Sequence, residues 1–187
     1  MEKESGSEPP VFHFDQILSE SATQLDIFNV VGKSIIENAL EGINGTIFCY
    51  GQTSSGKTYT CIGSDLVEES QRGILVRAIE EIHQRTRFGV DDKEYKMKIS
   101  MIEIYNEKIR DLMHNGKTEL KIRSSKSQGI FLEGATEKYI YSTEESNFYI
   151  SKALEHRSMG YTNQNFYSSR SHFVAILTLH QHDLRTG

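Results

Sequence analysis

The chain has no tryptophan, only two cysteines, and only two prolines, which stand side by side at positions 9 and 10. Cys49 and Cys61 are too few for a disulfide framework, and the seven histidines lack the paired spacing of a zinc site. No apolar run approaches the roughly 20 residues that span a bilayer, and the opening MEKESGSEPP is charged and polar where a secretory signal would be apolar. The expectation is a cytoplasmic protein with no metal cluster, no redox centre and no membrane span. What is present is ordinary: 187 residues, 37% hydrophobic and 25% charged, enough for one domain with one sizeable core. A net charge of -5 argues against general nucleic-acid binding. That average hides a reversal, because residues 93–138 hold ten Lys and Arg against seven Asp and Glu, a net +3 against -8 for the remainder. Such a stretch is either a solvated mixed-charge surface or a face for an acidic partner, and charge alone leaves both open.

Residues 1–10, polar and closed by Pro9-Pro10, read as a flexible N-terminal arm. VFHFDQIL then alternates as a short strand. SATQLDIFNVVGKSIIENALEG has helical periodicity, with capping-box spacing at Ser21 and Gln24, a shared face of Phe28, Val31 and Ile35, and Gly42 at the C-terminal position. GTIFCY, apolar without alternation, reads as a strand covered on both faces, as in a parallel sheet. Ile74, Ala78 and Ile82 mark a second helix, and Tyr95, Met97, Ile99 and Met101 mark one face of a long strand. ELKIR and GIFLEG form a strand pair, a helix runs from Ser142 to about Arg157, and HFVAILTL is a last strand. Strands alternating with helices give an α/β class: a three-layer mixed sheet flanked by helices.

The densest motif is YGQTSSGKTYT. Gly51, Gly56, Lys57 and Thr58 satisfy G-x-x-x-x-G-K-[ST] without a gap, after an apolar run and before a helical one. Glycines let consecutive backbone amides converge on phosphate oxygens, and the N-terminus of the following helix adds partial positive charge. Gly51, Gln52, Thr53, Ser54, Ser55, Gly56, Lys57, Thr58 and Tyr59 are the candidate nucleotide-binding residues. Lys57 would neutralise the β and γ phosphates, and the Thr58 hydroxyl would ligate magnesium. The loop alone leaves kinases, GTPases and mechanical ATPases open. A second polar cluster, NFYSSRSH, gathers Asn165, Ser168, Ser169, Arg170, Ser171 and His172. Its hydroxyls could hold a magnesium ligand or an attacking water, and the Arg170 guanidinium could grip an anion or a carboxylate.

GTIFCYGQTSSGKTYT, MIEIYNEKIRDLM and HRSMGYTNQNFYSSRSH, in this order and at these separations, resemble the kinesin motor domain. NxxSSRSH is similar to that family's first switch, and GQTSSGKT with EKIRDLM looks most like conventional transport kinesins. The resemblance implies a microtubule-stimulated ATPase that uses ATP and Mg and yields ADP, located on the cytoskeleton. Carried over residue by residue, Gly51 to Tyr59 hold the triphosphate. Asn165, Ser168, Ser169 and Arg170 form the switch, with Ser169 near magnesium together with Thr58, and Ser168 near the γ phosphate or its attacking water. Lys108, Arg123 and Lys126 are candidates for contact with the acidic microtubule surface. The alternative is a degenerate, non-motile kinesin-like module that binds nucleotide or tubulin without efficient hydrolysis.

From about Val11 to Gly187 the chain is similar to the middle of such a motor, so the sheet is expected to be truncated at both ends. The family's first strand, with its RxRP, has no counterpart, and no DxxGxE second switch occurs. The isolated residues are therefore expected to show weak nucleotide binding and little stimulated turnover, and a coiled-coil oligomer is expected only if a longer chain exists.

Overall fold

The computed structural model describes residues 10–87, 93–114, 119–127, 129–159 and 170–185. Its framework is the long strand β1 (Lys93–Tyr105), which pairs along one edge with β6 (His172–Asp183) from Lys93↔Asp183 to Ile104↔His172. The other edge is shared: β5 (Lys138–Ile140) takes Met97 to Ile99, and β2 (Lys108–Asp111) takes Ile102 to Tyr105. β3 (Glu119–Ser125) and β4 (Gly129–Glu133) extend the sheet beyond β2. Every ladder among the described residues is antiparallel.

The alternation expected of β1 holds, with Met97, Ile99 and Met101 buried on one face. They meet Ile74, Val76, Ile79 and Ile82 of helix α4 (Ile74–Thr86) and Ile150 and Ala153 of helix α5 (Thr143–Met159) in one core cluster. α5 starts as expected, with the Ser142 hydroxyl accepting from Glu145 N at 3.2 Å. The opposite sheet face carries a smaller cluster of Ile102, Ile109 and Leu120.

The first helical segment consists of α1 (Gln24–Ile27), a π-turn (Phe28–Gly32) and α2 (Lys33–Leu40). Its capping box is Thr23 with Asp26 rather than Ser21 with Gln24. The expected face also shifts: Gln24, Phe28, Gly32 and Ile36 are buried, while Val31 is exposed. Residues four apart drift by about 40° per step along an ordinary α-helix, and the wider i→i+5 turn offsets that drift, so the buried stripe runs straight from Gln24 to Ile36. The C-terminus agrees with expectation. Gly42 N donates to Ala39 O and Ile43 N to Asn38 O, the pair of bonds that closes a helix on a left-handed glycine.

Two expected strands do not form. Residues 11–18 and 45–50 join no ladder, and Phe12, Phe14, Phe48 and Tyr50 are exposed, Tyr50 at 89%. Apolar sequence supplies a strand's side chains, but its backbone needs a neighbouring strand to bond, and the ladders described here all build outward from β1. Ile47 packs against the main core while Phe48 faces out, so GTIFCY is covered on one face only. Two short strands escaped the sequence reading. β2 follows β1 through Asn106-Glu107, both with positive φ (49° and 60°), a two-residue hairpin turn without the usual glycine. β5 has three residues, too few for alternation to register.

Candidate nucleotide site and its supports

The phosphate-loop candidate runs from the extended segment before Gly51 into the short helix α3 (Lys57–Cys61). Gly56 caps this helix at φ +90°, a left-handed conformation that suits glycine. At Gly51 an added Cβ would strike the Ser55 hydroxyl, so this glycine allows the loop to close on itself. Ser54 also takes a positive φ (65°), and Ser55 N donates to Gln52 O at 3.2 Å, completing the curl. The amides of Gly56 to Tyr59 occupy the first turn, where a helix has no acceptors of its own; the first backbone bond is Thr60 N to Gly56 O, 2.8 Å.

Gln52 to Ser55 and Thr58 are exposed, so a cluster of hydroxyls and helix-end amides faces solvent. Lys57 arches back over this cluster, its Nζ donating to Gly51 O (2.8 Å) and Gln52 O (2.6 Å). Amides, hydroxyls and an ammonium gathered on one short loop are donors of the kind that a polyphosphate takes. Among the described residues, no group of three or more His, Cys, Asp or Glu could hold a metal ion; the exposed Thr58 hydroxyl could supply one oxygen to a magnesium ion.

The loop is flanked from behind by residues to which the sequence alone gave no part in the site. Gln24, almost wholly buried, donates through Nε2 to Tyr59 O at 2.7 Å and so ties α1 to the back of α3. Cys49 and Cys61, one on each side of the loop, are free thiols whose titrations bear on each other. The neighbouring Cys61 thiol pulls the Cys49 thiol down to about 7, and Cys49 together with burial pushes Cys61 up.

A polar network lies where β1, α5 and β6 meet. Glu103 of β1, 0% exposed, receives Arg110 Nη1 at 3.4 Å and Arg157 Nε at 3.3 Å. Arg157, near the end of α5, also donates through Nη2 to Ser171 Oγ (3.1 Å) and Ser171 O (3.4 Å). Asp111, 1% exposed, accepts from Met113 N and Thr136 N, each at 2.8 Å, and so pins the chain after β2 to the loop before β5. Glu103 and Asp111 both belong to MIEIYNEKIRDLM, so two acidic residues of that signature hold the fold together.

The family model of the kinesin motor domain matches residues 1–187. The chain belongs to the kinesin motor domain family. Among its relatives, it is 37% identical to the kinesin heavy chain of Syncephalastrum racemosum over 94% of this chain and 19% of that protein. It is 42% identical to the kinesin-like protein klp-20 of Caenorhabditis elegans over 64% of this chain and 19% of that protein. Its fold superposes on the solved structure of a fast kinesin with a TM-score of 0.89 and 34% identity, covering 94% of this chain and 50% of that one. The chain thus spans about a fifth of the length of these curated relatives and half of that solved kinesin chain.

Within this kinesin-family chain the candidate site residues are distributed unevenly. Gly51 to Tyr59 lie on the loop and the start of α3, and none of them is buried. Of the switch candidates, Arg170 is described and exposed, whereas Asn165, Ser168 and Ser169 lie outside the described residues. Lys108, Arg123 and Lys126 are all exposed on β2, β3 and the turn after β3. Lys108 faces Glu119 at 3.5 Å and Arg123 faces Glu133 at 2.9 Å, so two of these three cations have acidic partners across the ladders. No helix among the described residues is long and apolar enough to cross a membrane.

Proposed function

We propose that this chain is the ATP-binding portion of a microtubule-stimulated motor ATPase that works on the cytoskeleton. The observation that carries this reading is the Gly51–Thr58 loop, curled ahead of α3, in a chain matched over its full length by the kinesin motor domain. The amides of Gly56 to Tyr59 and the Lys57 ammonium would take the β and γ phosphates, with Lys57 leaving the carbonyls of Gly51 and Gln52 for stronger anionic acceptors. Thr58 and Ser169 would hold magnesium, whose contribution when bound is to neutralise charge on the phosphate oxygens. Ser168 would sit near the γ phosphate or its attacking water, with Asn165 and Arg170 in the same switch, so the protein acts by positioning and electrostatics more than by covalent chemistry.

In the full-length protein, microtubules should accelerate phosphate release from ATP, and Lys57→Ala should abolish nucleotide binding as followed with a fluorescent ATP analogue. Nucleotide binding without microtubule-stimulated hydrolysis would favour the non-motile module instead. Reversing Lys108, Arg123 and Lys126 together to Glu should raise the KM for microtubules and leave the KM for ATP unchanged. The ion pairs to Glu119 and Glu133 are solvent-exposed and weak, and so give way readily to an acidic surface.

A further inference from the structure

The Glu103–Arg157–Ser171 network does more than neutralise a buried charge. A carboxylate with no solvent exposure is costly unless paired, and Arg110 and Arg157 approach different oxygens of Glu103. Charge balance alone would be met by any cation at position 157. Arg157 instead divides its planar fork: Nε goes to Glu103 Oε1, while Nη2 reaches Ser171 Oγ and Ser171 O. Its guanidinium carbon also lies 5.7 Å from the centre of the Phe173 ring, and Phe173 is the residue opposite Glu103 in the β1–β6 ladder. Arg157 and Ser171 are both buried, so this junction is a fixed point rather than a surface contact. Ser171 is the residue directly after Arg170, and it precedes His172, the first residue of β6.

We infer that Arg157 is a positioning residue: it clamps Ser171 to Glu103 on the central strand, and through Ser171 it fixes where Arg170 leaves the sheet. The inference rests on the motor reading for its catalytic consequence, but the clamp itself does not. A lysine at 157 would keep the positive charge opposite Glu103, yet a single ammonium cannot serve the carboxylate and Ser171 with the same planar geometry.

The test uses the full-length protein carrying Arg157→Lys. Amide hydrogen exchange at Arg170 to His172 should speed up, while Val174 to Leu179 of β6 stay protected. In microtubule-stimulated hydrolysis, kcat should fall by about ten- to a hundredfold with the KM for ATP unchanged within about threefold, the pattern of a misplaced transition-state contact. Ser171→Ala, which removes one acceptor and leaves the Glu103–Arg157 pair intact, should shift both readouts in the same direction but less; it decides the matter if Arg157→Lys does not fold. Unchanged exchange and unchanged kcat in a folded variant would overturn the inference while leaving the motor reading intact. A loss of kcat that only tracks a general loss of protection across β6 would overturn it too. A wild-type protein without stimulated hydrolysis would refute the motor reading, and the exchange comparison would still report whether the clamp exists.

Discussion

Cys49 illustrates how strongly one neighbour can alter a residue. The neighbouring Cys61 thiol holds it down to about 7, so its thiolate predominates above that pH. Iodoacetamide labelling followed by peptide mass spectrometry should show Cys49 reacting with a midpoint near about 7 and Cys61 reacting far more slowly. Cys61→Ala should move the Cys49 midpoint back toward the ordinary thiol range. Asp26 offers a second check: the Thr23 amide and hydroxyl hold its carboxylate below the usual 3.8. Thr23→Ala should therefore raise the Asp26 pKa in an NMR titration. Because the folded-state value is the depressed one, this contribution is present above the unfolded pKa and is lost as the pH falls through the folded one. Neither thiol pairing nor this cap was legible from residue types alone, because Ser21–Gln24 and Thr23–Asp26 offer the same spacing to the eye.

At the scale of elements, local signals served well where one residue decides the outcome. Gly42, Ser142 and the Ile74–Ala78–Ile82 stripe were all legible because a cap or a helical face is set within a few residues of chain. The π-turn was not, since its register depends on fitting Phe28 across Gly32, where an added Cβ would lie 2.5 Å from the ring. Replacing Thr23 by Ala should destabilise the protein by about 1 kcal/mol through the lost cap, measured as a lower urea midpoint with an unchanged slope. The strands expected at 11–18 and 45–50 fail for a reason that periodicity cannot report, because a strand is completed by its neighbour rather than by its own pattern. The phosphate loop lies at the end of one of those segments and still curls as its glycines require, since its geometry is local.

At the scale of the whole molecule, stability concentrates around β1. Ile99 is wholly buried between the β5 and β6 ladders and under α4 and α5, so Ile99→Ala should cost about 2–5 kcal/mol in chemical denaturation. Ile130→Ala on β4, a strand paired only at its β3 edge among the described residues and 79% exposed there, should change stability by no more than about 0.5 kcal/mol. The sequence by itself determined the α/β class, the phosphate loop and the family, because glycine spacing, capping residues and an ordered set of signatures are properties of the chain read in one dimension. Only the tertiary structure decided that β1 would be the shared spine and that Glu103 would be buried between Arg110 and Arg157. It also decided that Gln24 would brace the loop from 35 residues away. Each of these depends on contacts between distant segments, and a buried charge or amide reveals its purpose only when the partner that satisfies it is in place.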